Sequence, residues 1–441
     1  ARLAILIGAS VVFYAAWSLP FVGLIVISAV VDFHAARNIQ AWDEESGDEA
    51  ARARKRKLAL TLSLAVNLGL LGYFKYANFF LENVHALFGV GPEPGWLDVI
   101  LPPGISFYTF QTMSYTIDVY RRKIRPTTSF LRFFLYVSFF PQLIAGPIER
   151  AGHLLVQFDH AASRRFSPEN FVSGAKMIIW GLFKKVVIAD ACGHLVDQVY
   201  ANPDGFDGWS ALVATYAFTL QIYCDFSAYS EIARGSARIF GIDLMQNFDQ
   251  PYLTRNIADF WRRWHISLGN WFRDYVYIPL GGNRFGKRRT LMNLVITMFL
   301  SGLWHGAAWT FVLWGLFHGF LLLMGNQLGR PLRERMGSGP LVALFEWAVC
   351  FHLVVFGWIL FRAKDLAQCW AVVRSIGLQL GDFVTGGAGP SDAQALFFFG
   401  LFAFLAASAI ERRERLLQRV WSSPPLSVAF ATVLLVAIAL L

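Results

Sequence analysis

The chain has 441 residues, of which 56% are hydrophobic and 16% aromatic, and its formal net charge is +9 at pH 7. The apolar residues fall in long blocks separated by short polar stretches, so the composition argues against a soluble globular protein and predicts a polytopic membrane protein. Basic clusters at the block edges, including Arg52–Lys57 and Arg121–Arg125, are typical of segments beside the cytoplasmic membrane surface. Because no soluble domain remains to present a basic surface, a nucleic-acid partner is not expected.

The apolar blocks predict an all-α membrane protein with about ten membrane-associated helices in a single domain covering the whole chain. Leu3–Ala16 and Phe21–Val31, separated by Pro20, are expected to form a hairpin. Leu101–Tyr120 and Phe171–Val199 contain Gly, Pro or Lys and are expected to be re-entrant, tilted or interfacial. The clearest candidates for spans, some shorter than the roughly 20 residues that a bilayer requires, are Leu58–Phe74, Phe130–Ala145, Ser210–Tyr223, Leu291–Leu303, Ala308–Met324, Val342–Leu360, Ala395–Ala407 and Leu426–Leu441.

A polar group of residues follows one of these blocks. Asp225, Ser227 and Tyr229 lie at the end of an apolar helix, and such a density of polar side chains predicts a wet cavity that holds substrate. An ordinary helix end that emerges into the lipid headgroups explains the pattern equally well, given the cost of burying a carboxylate.

The segment Asn256–Asn283 has a different pattern, because aromatic residues recur at helical spacing opposite charged ones. This pattern predicts one amphipathic helix that lies in the membrane interface and ends near Pro279. His265 falls on the apolar side, four residues after Trp261. By itself, His265 is explained as well by packing as by function. Four arginines of this region are candidates for binding the phosphates of an anionic donor, or only those of lipids: Arg262, Arg263, Arg273 and Arg284.

A second histidine, His305, lies in the next apolar block between Gly302 and Gly306. This Gly-x-x-x-Gly pair allows close approach of another helix or of a narrow substrate chain. Burial there disfavours the imidazolium and keeps the ring in the neutral form that a general base needs. Within an apolar membrane block, an ionisable side chain favours a functional interpretation. We therefore predict an active site containing His305 and His265, and Trp304 is a candidate residue of its substrate cavity. His318, about 220° further round a helix, is predicted to be a packing residue.

Several other classes of site are not indicated. Cys192, Cys224, Cys350 and Cys369 are isolated and lack the spacing of a disulfide framework or zinc knuckle, so no metal and no permanently bound cofactor are predicted. The sequence also has no phosphate-binding P-loop, no His-Glu-x-x-His metal helix and no Gly-x-Ser-x-Gly nucleophile elbow. Nucleotide hydrolysis, zinc proteolysis and a self-contained serine hydrolase are therefore disfavoured.

The long run Asp259–Arg284, followed by Trp304-His-Gly306, resembles the signature of the membrane-bound O-acyltransferases. Within that family it is most similar to the bacterial alginate O-acetyltransferase branch. Supporting runs are Leu101–Gln111, Phe140–Ile148 and Tyr223–Ser230, and the resemblance covers nearly the whole chain. It implies a ring of tilted helices around a central funnel, with His305 as the catalytic histidine and His265 as a second active-site histidine.

The resemblance also implies a reaction. Members of this branch are expected to take acetyl from a cytoplasmic donor, here acetyl-CoA, and to pass it across the bacterial inner membrane. The expected acceptor is an exopolysaccharide such as alginate, or another cell-envelope glycan, reached through extracytoplasmic acetyltransferase partner proteins. Members normally begin with a further apolar segment, so a native N-terminal segment is expected before Ala1. His305 would act as general base, while His265 would orient His305 or the acceptor, or donate to the oxyanion; an acetyl-histidine relay is also chemically possible.

Three alternatives remain open on the sequence. A relative with the same two histidines would transfer a D-alanyl group from an acyl-carrier protein to a wall polymer, although the run Ile278–Arg284 favours the acetylating branch. A proton-coupled transporter would use the histidines as a proton relay, but two similar halves with paired broken helices are not visible. A structural scaffold for a secretion complex would not need His305 for acetylation.

Overall fold

The computed structural model describes residues 2–90, 97, 99–161, 166–325, 327, 335 and 337–440. Over these residues the chain forms helices and no strand, which confirms the all-α prediction. The chain divides into two compact units, one made of Ala1–Ala175 and Ile232–Met245 and the other of Lys176–Glu231 and Gln246–Leu441. Each unit has its own buried apolar core.

The first unit begins with two helices that correspond to the predicted segments Leu3–Ala16 and Phe21–Val31. Pro20 stands in the first turn of its second helix, where a missing N–H interrupts no helical hydrogen bond. A π-helical turn, Gly72–Tyr76, follows the third helix. The bounds are α1 Arg2–Ala15, α2 Leu19–Glu44, α3 Glu49–Leu71, α4 Ala77–Phe88, α5 Ile105–Tyr120, α6 Phe130–Ser138 and α7 Ala151–Ala161.

The predicted span Phe130–Ala145 is wrong in its length. Helix α6 ends at Ser138 because Pro141 cannot continue it, and the chain then turns back on itself. Gln142 donates to the carbonyl of Tyr136 at 2.7 Å, and a Cβ placed on Gly146 would lie 2.4 Å from the Cα of Gln142. The turn therefore requires a glycine at position 146.

The core of the first unit contains an ionisable residue that the sequence pattern does not mark. Asp32 on α2 is fully buried and its carboxylate accepts hydrogen bonds from the Ser63 hydroxyl, from Asn67 Nδ2 at 2.7 Å and from Thr116 Oγ1 at 2.9 Å. These donors lie on α3 and α5. A buried carboxylate is tolerated when donors surround it, so this network holds the three helices together.

The two basic clusters at the ends of these helices lie close together. Asp43 forms ion pairs with Arg56 of the first cluster at 2.8 Å and with Arg122 of the second at 2.6 Å. Arg56 also donates to the carbonyl of Tyr120 at 2.8 Å. Both clusters therefore lie at one end of α2, α3 and α5, in agreement with their expected location on one side of the membrane.

The second unit continues the chain with α8, and both α8 and α10 have residues in each unit. Predicted segment Phe171–Val199 is interrupted by a π-helical stretch, Lys184–Asp190, and a further π-helical turn is Arg273–Tyr277. The bounds are α8 Pro168–Phe183, α9 Ala191–Ala201, α10 Gly208–Ile239, α11 Ile257–Arg263, α12 Ile266–Phe272, α13 Gly286–His305, α14 Trp309–Met324, α15 Pro340–Arg362, α16 Leu366–Val384, α17 Asp392–Glu414, α18 Leu416–Ser422 and α19 Pro424–Ala439.

By length and composition, four helices among the described residues can cross a membrane. They are Leu19–Glu44, Glu49–Phe88, Pro340–Arg362 and Asp392–Ile410. Helices α18 and α19, bent by 109°, make a fifth if the pair is one broken span, and α1 and α14 are shorter apolar helices. Several of the apolar blocks thus fold as short or interrupted helices, and the protein is a multi-pass membrane protein.

Candidate active site

The segment that carries His265 is not one helix. Helix α11 closes with a hydrogen bond from Trp264 N to Phe260 O at 2.9 Å, and α12 starts directly after His265. His265 has a φ of 43° and a ψ of 56°, which is left-handed backbone and ends the right-handed helix. The predicted single amphipathic helix over Asn256–Asn283 is therefore wrong, because it is interrupted at His265 and again by the π-helical turn.

The break places the His265 side chain in an aromatic environment within the second unit. The ring is 2% exposed and packs edge-on against Phe226 of α10, with 4.6 Å between centroids. Its centroid lies 5.8 Å from that of Trp304 and 6.4 Å from that of His305. The structure thus brings together His265, His305 and Trp304, three residues predicted from the sequence to form the site.

His305 is the last residue of α13, and aromatic rings surround it. Its ring lies 5.0 Å from Trp304, 5.0 Å from Trp314 on α14 and 5.2 Å from Phe361 on α15. Unlike His265, it keeps part of its surface exposed. Trp314 and Phe361 were not selected from the sequence, since each looks like an ordinary core aromatic of an apolar helix.

Glycines around His305 allow α13 and α14 to pack backbone to backbone. A Cβ on Gly302 would lie 2.3 Å from the carbonyl oxygen of Phe311, and one on Gly315 would lie 2.4 Å from that of Met298. A Cβ on Gly306 would meet the Phe311 ring at 2.1 Å. The close approach predicted from the Gly-x-x-x-Gly pair is made by a helix, and the space beside Gly306 is filled by Phe311.

Trp314 contacts both His305 and His318, with 5.0 Å between ring centroids in each pair. His318 is fully buried, with ring centroids 5.0 Å from both Trp314 and Trp261, and its ring nitrogens have no hydrogen-bond partner among the described residues. A Cβ on Gly357 would lie 2.8 Å from His318 Nε2, so a glycine there makes room for the ring. These contacts agree with a packing role. The predicted angle of 220° does not apply, because the chain reverses between α13 and α14.

The distance between the rings of His265 and His305 limits how the two side chains can interact. Each imidazole nitrogen lies only about 1 Å from its ring centre, whereas a hydrogen bond needs about 3 Å between nitrogens. Centroids 6.4 Å apart are too distant for a direct bond between the rings. A hydrogen-bonded link between the two rings would therefore need a bridging group.

The polar residues of α10 face lysines of the π-helical stretch. Lys184 Nζ lies 2.7 Å from both Ser227 Oγ and Glu231 Oε2, and Lys185 Nζ lies 3.0 Å from Asp225. Ser227 and Lys184 are buried, at 3% and 6% exposure. Tyr229, the remaining residue predicted for this cavity, is partly buried. Lys184 was missed, although a lysine pair within an apolar segment is a signal in the sequence.

The four arginines selected for donor phosphates fall into two groups. Arg263 is paired with Asp249 and Asp259, each at 3.1 Å, and Arg273 is paired with Asp274 at 2.8 Å. Arg262 and Arg284 are exposed, and neither makes an ion pair with another described residue. The second group is therefore better placed to bind an external phosphate.

A metal site is not present in the described part of the chain. No group of three or more His, Cys, Asp or Glu side chains there is arranged to hold an ion. The chemistry available at the pair of histidines is that of imidazole bases and hydrogen-bond donors.

Comparison with known proteins identifies relatives over most of the chain. The model of the membrane-bound O-acyltransferase family matches residues 40–361. A probable alginate O-acetylase of Azotobacter vinelandii is 40% identical over 382 residues, covering 86% of this chain and 73% of that protein. The corresponding protein of Pseudomonas aeruginosa is 39% identical over 421 residues, covering 91% and 76%. A peptidoglycan O-acetyltransferase of Helicobacter pylori is 35% identical over 395 residues, covering 84% and 73%.

Proposed function

The chain belongs to the membrane-bound O-acyltransferase family, and from this premise we propose that it moves acetyl groups from acetyl-CoA to hydroxyl groups of a cell-envelope polysaccharide. Family membership makes the protein an O-acyltransferase, so the transporter and scaffold alternatives are not retained. The observation that carries the proposal is the approach of His265 and His305 to 6.4 Å between ring centroids, with Trp304 beside both.

In the proposed reaction His305 is the general base. It removes the proton from the acceptor hydroxyl as the oxygen attacks the thioester carbonyl, the C–O bond forms, the C–S bond breaks, and the proton passes to the departing thiolate. General-base assistance of this kind typically contributes about 10²–10⁴-fold. His305 as a residue is less buried than His265, which supports this role because the base must meet substrate.

His265 is proposed to stabilise the oxygen that becomes negative. A buried ring 6.4 Å from His305 can donate one N–H to an oxyanion held between the two histidines. This role requires the neutral tautomer with its proton directed at that position. Because the rings are too far apart for a direct hydrogen bond, an arrangement in which His265 simply orients His305 is less well supported.

The acceptor and the other participants are also proposals. Two of the relatives are named for alginate and one for peptidoglycan, which supports a polysaccharide acceptor. The proposed acceptor lies on the outer side of a bacterial inner membrane and is reached through extracytoplasmic acetyltransferase partners. Arg262 and Arg284 are the proposed contacts of the donor phosphates.

The test measures polysaccharide-bound acetate in cells that lack other copies of this enzyme. Wild type is compared with His305→Ala, His265→Ala and His194→Ala, the last being a matched control because His194 is an exposed histidine on α9. We expect acetate to disappear with His305→Ala, to fall strongly with His265→Ala and to be unchanged with His194→Ala, at equal membrane abundance. Retention of acetate by His305→Ala would refute the proposed base.

The D-alanyl alternative is separated by the donor. Membrane vesicles are supplied either with labelled acetyl-CoA or with a carrier protein loaded with labelled D-alanine, and label in the polymer is counted. We expect incorporation from acetyl-CoA alone. Incorporation from the D-alanyl carrier alone would assign the chain to wall-polymer alanylation instead.

A further inference from the structure

His265 occupies a backbone conformation that its surroundings must stabilise. Four non-glycine residues in the described part of the chain have positive φ, namely Arg122, Gln250, His265 and Arg415. His265 is the buried member of this set. Left-handed backbone is unfavourable for a residue with a side chain, and it persists where neighbouring groups over-determine it.

The start of α12 also leaves backbone N–H groups that need acceptors. A helix usually satisfies its first N–H groups with the side chain of the residue before it, and serine, threonine, aspartate or asparagine is preferred there. His265 holds this position and makes no capping hydrogen bond with its side chain. The acceptors therefore come from elsewhere in the fold.

Asn247 supplies the acceptors for the first two N–H groups of α12. Its carbonyl oxygen accepts from Ile266 N at 2.9 Å, and its side-chain Oδ1 accepts from Ser267 N at 3.2 Å. Its Nδ2 donates to Ser230 Oγ on α10 at 3.2 Å, which fixes the orientation of the amide. Asn247 is 1% exposed, so water does not compete for these bonds.

The same stretch of chain also supports the other side of the break. Asp249 N donates to the carbonyl of Arg263 at 3.0 Å, one residue before Trp264. The Asp249 carboxylate then pairs with the Arg263 guanidinium at 3.1 Å. Residues 247–249 thus hold the end of α11 and the start of α12, with His265 between them.

We propose that Asn247 is a positioning residue for the acyl-transfer reaction, which caps α12 from outside the helix and so fixes the His265 imidazole opposite His305. This inference rests on the proposed function of the two histidines. Because Asn247 does the capping, the His265 side chain is not used as a cap and faces Trp304 and His305. The cap requires the side-chain oxygen of Asn247, which accepts from Ser267 N. The side-chain nitrogen of Asn247 can be replaced by an oxygen, because the Ser230 hydroxyl can then donate the hydrogen bond instead of accepting it.

The experiment compares three replacements at this position in membrane vesicles over a range of acetyl-CoA concentrations. Asn247→Asp keeps the acceptor for Ser267 N and can accept from the Ser230 hydroxyl. Asn247→Leu keeps the size of the side chain but has no acceptor, and Asn247→Ala loses both the size and the acceptor. We expect kcat to fall at least tenfold with Leu and Ala, to stay within about threefold of wild type with Asp, and the KM for acetyl-CoA to change less than twofold.

Asn293 provides a matched control for buried asparagine. It is also 1% exposed, but its amide donates to the carbonyls of Leu280 and Gly282, at 3.3 and 2.9 Å. An aspartate cannot make these donations. We therefore expect Asn293→Asp to lower thermal stability more than Asn247→Asp does, which shows that tolerance of aspartate is specific to position 247.

The outcomes separate the two proposals. If Asn247→Leu is as active as Asn247→Asp or more so, the residue acts by packing and the inference is overturned. If His265→Ala, measured alongside, keeps wild-type kcat, the role proposed for His265 fails, and the inference fails with it. If His265→Ala is impaired while the three Asn247 variants are equally active, only the inference fails.

Discussion

Two adjacent lysines at the start of the π-helical stretch form one buried and one exposed ion pair, so the contribution of each to the free energy of unfolding can be compared within one segment. The side chain of Lys184 is 8% exposed and pairs with Glu231, whereas that of Lys185 is 43% exposed and pairs with Asp190 and Asp225. Replacing Lys184 by methionine keeps the apolar stem and removes the charge. It leaves Glu231 without its cation and Ser227 without its donor.

The expected loss for Lys184→Met is about 3 kcal/mol, the lower end of the range for removing one partner of a buried pair, because Glu231 remains 29% exposed and is partly rehydrated. This is a roughly 100-fold smaller ratio of folded to unfolded protein. Lys185→Met is expected to cost below about 1 kcal/mol, as exposed pairs do. Lys184→Met with Glu231→Gln should recover part of the loss, since no uncompensated carboxylate remains.

The assay is unfolding of the purified protein in mixed detergent micelles by titration with a denaturing detergent, followed by tryptophan fluorescence. Wild type, the two single lysine variants and the double variant are measured under the same conditions. Equal losses for Lys184→Met and Lys185→Met would refute the reasoning, because they would show that burial of the first pair has no energetic consequence.

Three further predictions use the same unfolding assay. Asp32→Ala leaves three donors without their acceptor, and at roughly 0.6–1.7 kcal/mol for each hydrogen bond it is expected to lower the free energy of unfolding by about 2–5 kcal/mol. Asp32→Asn keeps one side-chain oxygen and should cost less. Equal costs for the two variants would show that the donors do not require this oxygen. Gly306→Ala forces a Cβ towards the Phe311 ring and is expected to lower the free energy of unfolding by about 1–3 kcal/mol. Gly325→Ala, with no atom within 4 Å of the added Cβ, should leave stability unchanged. An unchanged stability for Gly306→Ala would contradict the close packing of Phe311 against Gly306. The hydrogen bond to Glu149 raises the pKa of His153. Wild type should therefore be more stable than His153→Gln below the ordinary pKa of 6.5, and this difference in stability should disappear as the pH rises through the raised pKa. A difference that grows towards alkaline pH would contradict the direction of the pKa shift.

The parts of the fold that depend on local pattern were predictable. Apolar blocks identified most helices, Pro20 marked the start of α2, and the glycines at 302 and 306 indicated close helix packing beside His305. Each of these signals is carried by residues next to one another in the sequence. The cost of placing an ionisable ring in an apolar segment was enough to favour a functional role for His305, whereas the prediction for His265 depended on the family resemblance as well.

The parts that depend on distant partners were not predictable. No glycine or proline marks the break at His265, and the group that satisfies the start of α12, Asn247, lies well upstream on a separate segment. Asp32 was missed for the same reason, since its donors come from α3 and α5. Helical periodicity describes one element at a time, so it extended a single helix through a break that tertiary hydrogen bonds stabilise.

The role of His305 as general base is best measured as the rate of transfer of labelled acetyl from acetyl-CoA to polysaccharide in membrane vesicles containing His305→Ala. We expect a loss of at least about 100-fold relative to wild type, with protein abundance and unfolding midpoint unchanged and with His194→Ala fully active. A His305→Ala enzyme that transfers acetyl within twofold of the wild-type rate would rule out this role, because the imidazole between Trp304, Trp314 and Phe361 would then be a packing group.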